Sequence, residues 1–142
     1  MFVQEALRQI LIGNSGVNAL VVGRVYPGVL AQTLQDYPAV AYRLVRRTED
    51  TVLESSPIVT GLTESSFIFY SVAKGTNGPT IAARVDAAIN ACLQGFSGEV
   101  VLTGSSPVSS IHIQGVFLEG SEDHYDDITQ THQVASVYVI KH

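Results

Sequence analysis

The run Phe67-Ile68-Phe69-Tyr70-Ser71-Val72 constrains this chain more than any other stretch of it. It reads as a strand over residues 65–73, and it is apolar on both of the faces a strand presents. Antiparallel sheets ordinarily keep one face wet. Cover is therefore needed on two sides: over Phe67 and Phe69 on one, and over Ile68, Tyr70 and Val72 on the other.

The neighbouring segments supply only part of that cover. Residues 2–12 follow the i, i+3, i+4 spacing of an amphipathic helix through Phe2, Val3, Ala6, Leu7, Ile10 and Leu11, with Gly13-Asn14 as a left-handed exit. Residues 15–22 read as a short helical turn capped by Ser15, and Tyr26-Pro27-Gly28 as a turn. Residues 39–47 form a strand behind Pro38, in which Val40, Tyr42 and Leu44 alternate with Ala41, Arg43 and Val45. Residues 51–63 read either as a short strand near 57–60 or as a long hairpin arm. A second helix begins at Pro79 and runs to about Gln94. Its stripe is Ile81, Val85, Ala88, Ile89, Cys92 and Leu93, and Gly95 ends it. A short strand at 98–103 follows, then one at 109–119 with Ile111, Ile113 and Phe117 on one face. An acidic connection over 120–127 leads to a closing strand over 129–140. The expectation is an α+β fold, a single domain over residues 1–142, with a mostly antiparallel sheet and two helices on one face. The second face then falls to a loop arm, with 51–63 the candidate, or to a neighbouring subunit.

Composition points the same way. The chain has 142 residues, 46% hydrophobic and only 15% charged, against ~25% charged in an ordinary soluble domain. A domain of this length buries only ~70% of its unfolded surface alone, so self-association is the first expectation. The longest apolar run, 16–23, is far short of the roughly 20 residues of a membrane span, and Gln4, Glu5, Arg8 and Gln9 interrupt any signal-peptide core. A single cysteine excludes a disulfide scaffold. The net charge of −5 argues against a protein that grips nucleic acid by neutralising phosphates.

Residues that carry chemistry are sparse. His124 lies in Glu122-Asp123-His124-Tyr125-Asp126-Asp127, which admits a carboxylate–imidazole metal site but reads better as a solvated loop. His112, His132 and His142 have no zinc-like spacing. Cys92 falls on the apolar stripe of the second helix, where a buried structural thiol is expected. Gly13-Asn14-Ser15-Gly16 and Gly75-Thr76-Asn77-Gly78 lack the lysine of a phosphate loop. Neither a metal nor a cofactor is expected, and no enzymatic activity. Two charge groups stand out. Arg43, Arg46 and Arg47 form a basic strand end; Glu119, Glu122, Asp123, Asp126 and Asp127 form an acidic loop. They are ordinary solvated surface, complementary faces of adjacent subunits, or an acidic lining that repels a passing polyanion.

The ordered features resemble a known family. Arg24-Val25-Tyr26-Pro27-Gly28 follows the first helix, and Tyr37-Pro38-Ala39-Val40-Ala41-Tyr42 matches a P-x-[IV]-x-Y strand. The apolar strand 67–72 leads into the helix Ala82-Ala83-Arg84-Val85-Asp86-Ala87-Ala88-Ile89, which exits through Leu93-Gln94-Gly95-Phe96-Ser97-Gly98. Ile113-Gln114-Gly115-Val116-Phe117-Leu118-Glu119, then Asp123-His124-Tyr125-Asp126 and a closing strand, complete the pattern. In order, spacing and length the chain resembles the tail terminator, or tail completion, proteins of long-tailed bacteriophages and gene-transfer particles. The resemblance implies a non-enzymatic hexameric ring in the virion, assembled in the host cytoplasm, that caps the tail tube, stops its polymerisation and joins the head. The implied partners are further copies of the chain, the tail tube protein and a head-closure or connector protein. DNA passes through the lumen without sequence readout, and no membrane is involved. Ile68, Tyr70 and Val72 with the two charge groups are the candidate interface residues. The alternatives are another neck component, such as a head-closure protein, or a small α+β ligand-binding or enzymatic domain with His112, His124 and His132 gathered in one pocket.

Overall fold

The computed structural model describes residues 2–28, 30, 36–51, 59–103 and 109–142. Among these residues three helices, α1 (Phe2–Gly13), α2 (Ser15–Val21) and α3 (Gly78–Leu93), accompany seven strands. These are β1 (Val25–Pro27), β2 (Ala39–Thr51), β3 (Val59–Lys74), β4 (Gly98–Leu102), β5 (Ser109–Ile113), β6 (Gly115–Asp126) and β7 (Thr131–Lys141). Five strands make one sheet in the order β1-β2-β3-β7-β6, and β4-β5 form a separate hairpin. Among the described residues only β1 with β2 is parallel; every other pairing is antiparallel. The α+β expectation holds.

The helices converge on one face of the sheet. Val3, Leu7 and Leu11 of α1, Val17 and Val21 of α2, and Val85, Ile89 and Leu93 of α3 share one core with Tyr42, Phe67, Phe69, Tyr138 and Ile140. The β4-β5 hairpin closes that core with Val100, Leu102 and Ile113. An aromatic row crosses three strands on this face. Tyr42 stacks on Phe69 at 5.6 Å, and Phe69 meets Tyr138 edge-on at 5.6 Å. Both tyrosines reach a polar partner beneath the helices. Tyr42 Oη donates to the Gln4 carbonyl at 3.0 Å, and Tyr138 Oη to Asn90 Oδ1 at 3.2 Å. Burial pushes the Tyr42 phenol up to about 12 and the Tyr138 phenol up further.

Several local readings are corrected. The short second helix is real, but Asn14 caps it, not Ser15: Asn14 Oδ1 accepts from Val17 N at 3.1 Å. The left-handed residues are Val22 and Gly23 beyond α2, not Gly13-Asn14. Tyr26 and Pro27 belong to the edge strand β1, where proline removes no needed donor. The strand expected over 109–119 is two strands, parted at Gln114, whose N–H bonds the Lys141 carbonyl at 2.7 Å. Phe117 is half-exposed rather than sharing a buried face with Ile113.

The acidic stretch 120–127 is not a loop. Most of it is the outer strand β6, paired along its length with β7 from Lys141 down to Thr131. Polar composition does not exclude an edge strand, because edges are kept charged against unwanted pairing. The described parts of 51–63 prolong the β2-β3 ribbon, with Thr51 opposite Val59 and Glu49 opposite Thr63. They extend it past β7, which ends where Thr63 and His142 exchange backbone bonds of 2.7 and 2.9 Å. Residues 52–58 of the expected arm lie outside the described residues.

Candidate interaction surface: the open face of the sheet

The face turned away from the helices is assembled by register. Ile68 of β3 is flanked by Arg43 of β2 and Val137 of β7. Tyr70 lies between Ala41 and Ala135, and Val72 between Ala39 and Gln133. Side chains of paired residues share a face, so this surface has an apolar centre from β3 and β7. The sequence reading of this strand holds: Phe67 and Phe69 are fully buried under the helices, while Ile68 and Tyr70 are only half-covered. Val72 is the exception, at 2% exposure.

The difference among those three comes from one end of the face. A half-open groove of about 520 Å³ is lined by Tyr37, Arg43, Tyr70, Val72, Asp126 and Ile128, among others. Its walls are the segment leading into β2 and the β6-β7 turn. Tyr37 has Lys74 Nζ 6.0 Å from its ring centre, and burial, then the nearby Asp126, raises its phenol above its ordinary value. Ile128 stands 82% exposed at the rim. A shallower depression of about 280 Å³ lies beside it, between Ile68, Val137 and the acidic strand residues 119–122.

The charge groups are divided by two bulges. The β2-β3 register shifts between Leu44 and Arg46. Arg43 and Arg46 therefore both sit on the open face, opposite Ile68 and Ser66, while Arg47 opposite Ser65 sits on the helix face. Without the bulge Arg46 and Arg47 would exchange faces. On the far edge the register shifts between Leu118 and Gly120, with Glu119 at the bulge. Glu122 and Asp126 then share the open face with Ala135 and Thr131, and Asp123 shares the helix face with Val134. Asp127 lies in the turn after the strand. The open face thus runs from a basic column on β2, across an apolar centre, to an acidic column on β6. At ~4.8 Å per strand spacing the columns are roughly 14 Å apart.

Charge on the acidic strand is little satisfied within the chain. Glu122 meets His124 at 3.3 Å with both side chains at least half exposed, and such pairs contribute little. Asp126 Oδ1 accepts the backbone N–H of Ile128 at 2.9 Å, ordering the turn. Sequence reasoning missed Tyr37, Ile128 and Lys74. Tyr37 and Lys74 come into proximity only through the register of β2 and β3, although Ile128, an isolated aliphatic residue in a polar turn, was visible as an oddity.

The other candidate chemistry is dispersed. His112 lies on β5 opposite Glu99, far in topology from the main sheet. His124 is on the open face, and His132 is on the helix face, tilted against Tyr125 at 4.8 Å and beneath Gly78. His142 is bound to Ser65, Oγ to Nε2 at 2.8 Å. The structure does not gather His112, His124 and His132. Among the described residues no group of three or more His, Cys, Asp or Glu is placed to hold a metal ion. Cys92 is half-buried against the Ile10 carbonyl, and burial raises its thiol, which suits a structural role.

One solved structure shares this architecture along its whole length. It is a chain of the virion of a native gene transfer agent particle, with a TM-score of 0.68 and 16% sequence identity, covering 99% of this chain and 93% of that one. At that identity the likeness establishes the fold. No protein-family model and no curated protein matches the sequence.

Proposed function

We propose that this chain is a structural virion protein, a subunit of the ring that terminates the tail of a long-tailed phage or gene-transfer particle. The observation that carries the proposal is the polarity of the open sheet face. A closed ring needs heterologous contacts, in which two different patches of one subunit meet their complements on its neighbours. A basic column and an acidic column on opposite sides of an apolar strip are two such patches. The end-to-end likeness in fold to a gene transfer agent virion chain supports the same reading.

In this role the chain acts without chemistry. Six copies form a ring on the last ring of the tail tube, which blocks further addition of tube subunits, and the opposite ring face meets the head-closure or connector protein. DNA crosses the lumen. A net charge of −5 disfavours the broad phosphate neutralisation by which a protein grips DNA.

The test is the mass of the purified protein by light scattering, with imaging of its mixture with purified tail tubes. The proposal expects a ring, free or on the tube end. A monomer that also fails to join tubes overturns it. Particles made without the protein separate the terminator from a head-closure role, because overlong or headless tails mark loss of the terminator and DNA-leaking heads mark loss of closure.

A further inference from the structure

Among the described residues, each long edge of the sheet is closed along one half and open along the other. On the β2 side, β1 occupies the edge at Val40, Ala41 and Tyr42, and no strand lies beyond the remainder of β2 among the described residues. On the β6 side, the exit of α3 closes the first part. The Val116 carbonyl accepts from Gly95 N at 2.9 Å, and Leu118 N donates to Gln94 Oε1 at 2.7 Å. From Gly120 to Asp126 the outer edge of β6 borders no strand among the described residues.

Alternate peptide groups of an antiparallel strand point to opposite edges. Val116 and Leu118 point outward, so beyond the Glu119 bulge the outward groups belong to Ser121, Asp123 and Tyr125. On β2, Val40 N bonds the Arg24 carbonyl and the Tyr42 carbonyl accepts from Gly28 N. The next outward residue is Leu44 and, past the bulge at Val45, Arg47 and Glu49.

We propose that these two open half-edges pair with each other between copies of the chain. Residues 121–126 of one copy run antiparallel along residues 43–49 of the next, and the sheet continues through the contact. The inference rests on the ring reading and names the contact that closes the ring.

Three features select this pairing. The first is direction. β2 and β7 run one way, β3 and β6 the other, so rotation about an axis inclined to the strands, as in a barrel, brings β6 antiparallel to a neighbour's β2. The second is charge and face. Placing Asp126 opposite Arg43 aligns Tyr125 with Leu44, His124 with Arg46, Asp123 with Arg47 and Glu122 with Thr48, once Val45 is passed over. Open-face residues then meet open-face residues, outward peptide groups meet outward peptide groups, and no carboxylate faces another. The helices of both copies stay on one side. The third is slope. Within one copy Arg43 is level with Gly120, through Ile68 and Val137, and Asp126 is six residues further along β6. The pairing therefore climbs about 20 Å, at ~3.3 Å per residue, across four strand spacings that total about 19 Å. That is a strand tilt of about 45°, at the upper end of the ~35–45° of closed barrels.

The test is a cross-link. In a Cys92→Ser background, Arg46→Cys with His124→Cys places two thiols at a pair that exchanges no backbone bonds, where Cα atoms approach to ~4.5 Å. Within one copy the same residues lie three strands apart, beyond the ~7 Å limit for a disulfide. Oxidation is expected to give a ladder of covalent multimers on a non-reducing denaturing gel, ending at the ring. The comparison variant, Arg46→Cys with Phe117→Cys, joins residues that are level in the sheet and is expected to give no ladder. A ladder from the comparison variant, or none from the first, overturns the edge contact. Light scattering on the same samples keeps the two readings apart. Ring mass without the ladder refutes this contact and leaves the ring standing, whereas monomers that join no tubes refute the ring as well.

Discussion

At the scale of single residues, buried polar groups show which contacts fix the helices on the sheet. Ser136 Oγ donates to Asp86 Oδ1 at 2.5 Å, and four residues on, Asn90 takes the Tyr138 hydroxyl. One face of α3 is thus pegged to β7 twice. Burial raises the Asp86 carboxyl, more than the Ser136 bond lowers it, with Asp123 adding to the rise. A folded-state value above the unfolded one means the native state holds this proton longer. The associated stability is complete below the unfolded value of 3.8 and is lost as pH rises through the folded value. Asp86→Asn, which keeps an acceptor for Ser136, is therefore expected to raise stability at pH 7 relative to pH 3, measured by urea denaturation at both. Equal effects at the two pH values would contradict it. Tyr138→Phe removes one hydrogen bond and leaves Asn90 without that donor, with an expected cost of about 1 kcal/mol in the same assay. Ser71 is the converse case: its buried hydroxyl has no hydrogen-bond partner among the described residues. Ser71→Ala is expected to leave stability unchanged or raise it by up to ~1 kcal/mol, and a clear loss would mean that the hydroxyl does have a partner.

At the scale of elements, the apolar patterns were legible and the interruptions were not. The stripes of α1 and α3 and the two-faced strand β3 were readable because burial imposes periods of 3.6 and 2 on the sequence. The α3 boundaries followed from Pro79 and Gly95, whose backbone preferences act locally. Gly115 breaks no pattern on paper, and nothing in Ser109 to Glu119 announced that two strands would part at Gln114. The bulges at Val45 and Glu119 were equally silent. The first places Arg46 on the face of Arg43 and the second sets the face of Glu122 and Asp126, and both depend on a partner strand distant in sequence. The acidic strand β6 was misread because its polarity reflects its place at an edge. The meeting of Gly78 with His132 was also hidden: a Cβ at Gly78 would come 2.5 Å from His132 Cδ2. Gly78→Ala is thus expected to push the start of α3 off β7. The expected cost is about 1–3 kcal/mol by thermal or urea unfolding, although alanine is the better helix former. A neutral result would show that the imidazole swings aside.

At the scale of the whole molecule, apolar excess and charge scarcity have a location. The helix face is filled from within, and the open face keeps Ile68, Tyr70 and Ile128 at least partly in water. Its flanking charges make association sensitive to ionic strength, since screening shortens from ~10 Å at 0.1 M salt to ~3 Å at 1 M. Self-association followed by light scattering is expected to weaken on the order of tenfold over that range. Arg43→Glu with Arg46→Glu is expected to weaken it similarly at low salt, with partial recovery on adding Glu122→Lys and Asp126→Lys. Association that strengthens with salt would assign the contact to the apolar strip alone.

The half-closed edges have a further consequence. Fibrils grow when identical strands stack flat and level, each copy repeating the last without end. Here the stretch of β6 level with the bare part of β2 is blocked by Gln94 and Gly95, and the stretch of β2 level with the bare part of β6 is blocked by β1. Level stacking is closed off at both ends of the sheet. A newcomer that uses backbone pairing must step upward as it joins. In the ring proposed above the rotation between copies closes the circle, and no free edge is then left for a further copy.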